Sequence, residues 1–201
     1  MNTTLIPAAA FKSGLLDKEF HERLLTDLEQ LTGKAGVPMH AVWSRLSDYC
    51  TSSEVAWVKD LRTSLDCGLV FYGDNFAINV EDKMVAIAGV CLRNYTDARV
   101  MPVQDVIRRL KDDNMPSPTV LLIPNFCIHK DGGGDLPTWD TSHLMGLLIT
   151  RSGKGLKTVL YCQSLEVAEK QYGPLFRKHL EAKYALANAD EVIQIKEEVL
   201  E

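Results

Sequence analysis

The sequence predicts an α/β fold, a parallel sheet covered by helices on both faces, with a short helical segment ahead of it. Three observations carry this. Short apolar runs at 69–72, 99–103, 120–123 and 158–162 alternate with stretches whose apolar residues recur at helical spacing, and strands alternating with helices of that length build parallel sheets. Runs such as Val120-Leu121-Leu122-Ile123 are apolar throughout, the pattern of strands buried on both faces. With 201 residues, 46% of them hydrophobic, the chain can bury one substantial core.

The elements follow in order. Residues 1–14 form an arm, and Leu16, Phe20, Leu24, Leu28 and Leu31 mark an amphipathic helix over 15–31 that Gly33 stops. Packing on its own domain is one use of that stripe, and docking another protein is the other. Val42, Trp43, Leu46 and Tyr49 make a second short amphipathic turn, and Ser52 or Ser53 caps a helix reaching Leu65. After strand 69–72 come a loop from Gly73, a helix over 82–93, strand 99–103, and a helix marked by Val106, Ile107 and Leu110. Strand 120–123 leads into a glycine-rich loop over 127–137, then a helix over 142–149 and strand 158–162. Ser164 caps the next helix, 175–184 is helical, and 185–201 is a last helix or a frayed tail. The organisation expected is an arm and helix over 1–35, a principal domain over 36–185, and a tail over 186–201.

Charge and cysteines bound the function. The formal net charge of −5 argues against a strongly electrostatic nucleic-acid binder. Cys50, Cys67, Cys91, Cys127 and Cys162 are scattered and never form C-x-x-C, so buried reduced thiols are expected and no metal site. No apolar run approaches the roughly 18 residues of a membrane span and no secretory leader opens the chain, so a cytoplasmic, membrane-free protein is expected.

Several landmarks together resemble the AAA+ domain of bacterial helicase-loader ATPases of the DnaC and IstB type, over residues 35–184. They are Ala35-Gly36-Val37-Pro38, Leu69-Val70-Phe71-Tyr72-Gly73, Met84-Val85-Ala86-Ile87-Ala88, Val120-Leu121-Leu122-Ile123, Trp139-Asp140, Leu147-Leu148-Ile149-Thr150-Arg151, the run Thr158 to Gln163, and Ser164-Leu165-Glu166 through Tyr172-Gly173-Pro174-Leu175. The resemblance implies a P-loop NTPase (AAA+-like) sheet in which the loop after the first strand cradles phosphate and the Walker B strand ends in acids that hold Mg²⁺ and polarise water.

The departures fall on those positions. Asn79, Val80 and Glu81 stand where the resemblance puts Gly, Lys and Ser/Thr, and Lys83 lies ten residues after Gly73 where six are needed. The Walker B strand delivers Pro124 and Asn125 in place of acids, and the sensor asparagine falls on Gln163. Each charge-assisted phosphate contact is worth roughly 1.5–3 kcal/mol, so losing the lysine and the metal ligand weakens Mg·ATP by roughly two to four decades. ATP binding is expected to be lost or weak, with no cofactor and no catalytic residue. Arg151, Arg177, Lys178 and His179 are the basic positions that the resemblance makes candidates for a subunit or nucleic-acid contact.

Other constellations carry less. Cys127, His129, Asp131 and Asp135 match no metal spacing, and no G-x-S-x-G nucleophile turn occurs. Trp43, Trp57 and Trp139 read as packing aromatics, and Arg108-Arg109-Lys111 as a solvated helix face. Three functions stay open. One is a non-hydrolysing loader-like protein acting through contacts with a helicase, an active AAA+ subunit or another nucleic-acid complex, its helix at Leu16, Phe20, Leu24 and Leu28 docking the partner. The others are a divergent P-loop NTPase that redeploys Lys83 with Asp74, Glu81 or Asp82, and a phage, mobile-element or defence component that mimics a loader subunit.

Overall fold

The computed structural model describes residues 6–73, 80–127 and 137–189. Its centre is a five-stranded sheet of β1 (Gly68–Tyr72), β2 (Ala98–Val100), β3 (Val120–Cys127), β4 (Lys157–Cys162) and β5 (Tyr184–Asn188), in the order β2-β3-β4-β1-β5. Every neighbouring pair is parallel. Along β1, Leu69 and Phe71 enter one core while Val70 enters the other, as the two-residue period of a strand requires. The continuous apolar runs therefore reflect helices on both faces.

On one face lie α3 (Leu28–Ala35), α4 (Ser52–Lys59) and α5 (Val80–Arg93), with the shorter α1 (Ala8–Lys12) and α2 (Glu22–Thr26) contributing Ala10 and Leu24 to the same core. On the other lie α6 (Val103–Lys111), α7 (Thr138–Gly153), α8 (Leu165–Tyr172) and α9 (Pro174–Lys183). The segment at Met39–Trp43 is a tight 3₁₀ turn against α5. Gly89 permits that approach, since a Cβ there would lie 2.0 Å from the Ala41 carbonyl oxygen.

The structure corrects several boundaries. The helix expected over 15–31 is broken, because the Asp17 carboxylate accepts the Phe20 N–H at 2.7 Å and the Asp17 N–H donates to His21 Nδ1 at 2.9 Å. Such local side-chain bonds compete with helix propagation. The following helix runs through Gly33 and stops at Gly36, in the left-handed region at φ 71°. Thr51, not a serine, caps α4 through a reciprocal box with Glu54, and α4 ends at Lys59, leaving Leu65 fully exposed. Val103 belongs to a helix, Cys127 to a strand, and α7 is longer than expected at both ends.

Residues 184–188, expected as a helix end followed by a last helix or a frayed tail, form β5 along β1. The glycine-rich 128–136 and the tail from 190 lie outside the described residues, along with Asp74, Asn79, His129, Asp131 and Asp135.

Candidate functional site

The sheet order fixes where a ligand site belongs. The chain leaves β1 for β2 at the far edge, yet leaves β4 for β5 on the opposite side of β1. Open α/β sheets take ligands outside the carboxyl ends of strands where the order reverses, here around Tyr72-Gly73, the end of β3 and Gln163. The loop 74–79, on which Asn79 falls, lies outside the described residues.

Gly73 adopts φ 147°, its N–H donates to the Gln163 carbonyl at 3.1 Å, and its own carbonyl accepts the Tyr161 hydroxyl at 2.9 Å. The Gln163 N–H donates to the Cys127 carbonyl at 2.7 Å. These bonds join the ends of β1, β3 and β4.

Asn125 has a structural assignment. Pro124 lacks the N–H that would continue the ladder, and β3 bulges: Ile123 pairs with Leu160, but the next pair is Cys127 with Cys162. The bulge re-aims its side chains. Asn125 Oδ1 accepts the Val103 N–H at 2.8 Å and its Nδ2 donates to Gln104 Oε1 at 3.1 Å, so it satisfies an orphan donor in the first turn of α6.

Val80 and Glu81 open α5, and Val80 is buried. Lys83, also in the first turn, is 1% exposed and donates to Glu54 Oε1 at 2.8 Å and Oε2 at 3.0 Å, with Phe71 below its ammonium at 5.3 Å from the ring centre. The same carboxylate accepts the Thr51 N–H at 2.7 Å. Nearby, burial and then the Glu54 charge push the Cys50 thiol up to about 12. The sequence pattern had no means to pair residues 54 and 83.

Arg151 is not a surface contact. It is 0% exposed and donates to Thr158 Oγ1 and to the carbonyls of Pro116, Pro118 and Lys157 at 2.6–3.0 Å. Burial lowers its pKa to about 10. An arginine that closes the turn before β3 onto the start of β4 cannot also reach a neighbouring subunit.

The Arg177 cluster differs. Arg177 bridges Glu166, Glu169 and Glu181 at 2.8–3.4 Å, Lys178 is exposed, and His179 is half-buried with no partner for Nε2 among the described residues. Three carboxylates neutralise Arg177, which leaves Lys178 as the solvent-facing cation of the group.

The docking stripe is also rearranged. Leu16, Leu24 and Leu28 are buried in the domain's own core, while Phe20 is 63% exposed. Trp139 departs from the packing role expected of it: it is 42% exposed, stacked on His143 at 3.6 Å between ring centres. Among the described residues no cluster of metal-ligating side chains occurs, and no helix is long and apolar enough to cross a membrane.

The structure is similar to that of the DnaC helicase loader, with a TM-score of 0.55 and 15% identity, over 72% of this chain and 95% of that one. The chain shares the α/β fold of that structure. A candidate primosome component from Streptococcus pyogenes gives a TM-score of 0.56 at 12% identity, over 79% of this chain and 93% of that one. The replication initiator DnaA, in a structure holding AMPPCP and single-stranded DNA, gives 0.53 at 11% identity over 71% of this chain. This chain spans 48% of that DnaA chain. No family sequence model and no curated protein sequence matches the chain. Asn125, which the resemblance puts at a Walker B position, is committed to α6, and Lys83 is committed to Glu54.

Proposed function

We propose that this chain is a loader-like AAA+ protein that does not hydrolyse nucleotide and acts through protein contacts in a nucleic-acid-handling complex. The observation that carries the reading is the assignment of Asn125 and Lys83 to structural bonds. Phosphoryl transfer is catalysed by positioned charge, and the bonds that hold Asn125 to α6 and Lys83 to Glu54 support the reading that neither residue serves it. The shared fold supports the loader-like part, since the DnaC loader and the primosome component align along nearly their whole length. The partner expected is a helicase, an active AAA+ subunit or a related assembly, with nucleic acid touched through the complex and the cytoplasm as the setting.

Titration calorimetry of ATP and ADP into the pure chain, with and without Mg²⁺ and up to millimolar nucleotide, tests this. No saturable heat is expected. Saturable Mg²⁺-dependent binding, together with ATP turnover by the wild-type chain that Lys83→Ala abolishes, would establish a divergent NTPase instead.

A further inference from the structure

Two hollows flank the last turn of α5 and the entry to β2. The larger, about 570 Å³, has an aliphatic floor of Leu46, Val58, Leu61 and Val90, and the smaller, about 290 Å³, is floored by Leu24, Leu31 and Leu92. Phe20 lines the first and Tyr95 the second, Thr96 lines both, and the two rings meet edge to face at 5.6 Å between centres. With Phe20 63% and Tyr95 47% exposed, the pair forms an aromatic ridge between the hollows. Large aromatic side chains left in water beside apolar concavities mark protein interaction sites.

Tyr95 is held on this ridge under strain. Its φ of 53° lies in the left-handed region, which a side chain of that bulk rarely enters, and strain of this kind collects at functional positions. The Tyr95 N–H donates to the Leu92 carbonyl and its hydroxyl to the Phe20 carbonyl, while the His21 ring, 15° from parallel, faces one side of it. The ring is therefore fixed before anything binds, so docking on it loses little conformational entropy.

The charge around the ridge has one sign. Lys59, Arg62 and Arg93 line the larger hollow with no carboxylate, and Arg23 and Lys34 line the smaller with Asp97 alone, which faces Arg99 at 3.9 Å. Arg62 donates to the Asn94 carbonyl and the Thr96 hydroxyl, and Arg93 to the carbonyls of Val42 and Ser44. Those acceptors are neutral, so the bonds fix both guanidiniums without cancelling their charge. No ion pair among the described residues involves any of the five cations. In a chain of net charge −5, this is a local field of the opposite sign.

We propose that this surface docks an acidic segment of another protein, with its carboxylates over the five cations and its large apolar side chains in the two hollows. A single-stranded nucleic acid would match the cations too, but its bases stack on open ring faces. Here His21 faces one side of Tyr95, and the aliphatic floors offer bases no ring at all. The proposal rests on the protein-contact reading above and names the partner's chemistry. Nucleotide calorimetry and peptide binding read different parts of the molecule, so either can fail alone.

Panning a displayed library of random peptides against the full chain tests it, the enriched peptides then being titrated as fluorescein conjugates by anisotropy. Enriched sequences should combine an excess of Asp and Glu with large apolar residues, and their affinity should fall with salt. Affinity should drop by roughly tenfold or more in the paired variant Phe20→Ala with Lys59→Glu, and likewise in Tyr95→Asn. Asparagine suits the left-handed backbone, so Tyr95→Asn removes the ring and keeps the turn. Lys154→Glu, an equal change of charge at the exposed C-cap of α7 on the other face of the sheet, should stay within about twofold of wild type. Circular dichroism melts check that the variants are folded, and Lys59→Glu alone repeats the test if the others are not. Absence of enrichment overturns the proposal, as do enriched peptides without an acidic excess or acidic peptides that bind the ridge variants as they bind wild type. An oligothymidylate that binds more tightly than the peptides and is lost in the same variants overturns it in favour of nucleic acid. Self-association of the wild type that these variants abolish overturns it in favour of a second copy.

Discussion

Lys83 and Glu54, 29 residues apart in sequence, form a two-point ion pair at 2.8 and 3.0 Å in which each side chain is 1% exposed. Taking both charges out of water is costly, and the pair is tolerated because Glu54 also accepts the Thr51 N–H and Lys83 sits over Phe71. The pair joins the first turn of α5 to the first turn of α4, the helices that follow and precede β1 in the chain.

Removing one partner leaves the other as a buried unpaired charge. Lys83→Met should destabilise the fold by about 3–5 kcal/mol, read from urea denaturation. The double variant Lys83→Met with Glu54→Leu should recover part of that loss, short of the bonds Glu54 makes to the α4 cap. If Lys83→Met is as stable as wild type, the ammonium is not held by Glu54 and is available for another role.

Arg151 gives a second stability prediction with a functional edge. Arg151→Met removes the donor to the buried carbonyls of Pro116 and Pro118, to the part-buried Lys157 carbonyl and to the Thr158 hydroxyl, and a buried carbonyl left unsatisfied costs roughly 1–3 kcal/mol. Thermal melts should show one of the largest losses of any single substitution in this chain. Arg151→Lys should rescue little, because one ammonium cannot span the four acceptors that a planar guanidinium reaches. A folded, stable Arg151→Met would return Arg151 to the list of contact candidates.

The alternation of strands and helices was legible because period-two and period-3.6 patterns are local properties of sequence, and β1, β3 and β4 stand close to their apolar runs. β5 was not, since Tyr184-Ala185-Leu186-Ala187-Asn188 has little strand character and owes its conformation to the free edge of β1. The structural uses of Asn125 and Arg151 were not readable either. That Asn125 caps α6 depends on a bulge, and that Arg151 is interior depends on the turn at Pro116 and Pro118 folding back over it. The break at Asp17 has a local signal in the Asp-x-x-Phe-His spacing of side-chain acceptors, outweighed in the reading by the leucine periodicity.

Asn125 separates structural from catalytic use of the β3 end. Asn125→Ala removes the acceptor for the Val103 N–H and should cost about 1 kcal/mol, the usual worth of a first-turn cap. Asn125→Asp keeps an acceptor in place and loses only the bond donated to Gln104, so its stability should stay within about 1 kcal/mol of wild type. It also puts an acid where the resemblance expects a Walker B acid. Calorimetry should still find no Mg²⁺-dependent nucleotide binding, because the carboxylate is held by α6 and Lys83 by Glu54. Binding gained by this one substitution would mean that the rest of the phosphate site is intact.

His179 gives the pH dependence a direction. Burial, and then the charge of Lys183, lowers its pKa below the ordinary 6.5, and Nε2 lies buried against no acceptor among the described residues, with the Tyr184 ring edge-on at 5.9 Å. The unfolded chain therefore takes up this proton at a higher pH than the folded chain does. The stability tied to a neutral His179 is fully present above about pH 6.5 and is lost as pH falls through the lowered folded value. Urea midpoints measured between about pH 8 and about pH 5 should fall for wild type, and the fall should be smaller for His179→Phe, which keeps the ring and cannot take up the proton. The two should be closest in pH response above neutrality, where the imidazole is uncharged in both states. An equal slope in the two proteins below neutrality would place the acid sensitivity on other groups and show that His179 finds a proton acceptor or water when charged.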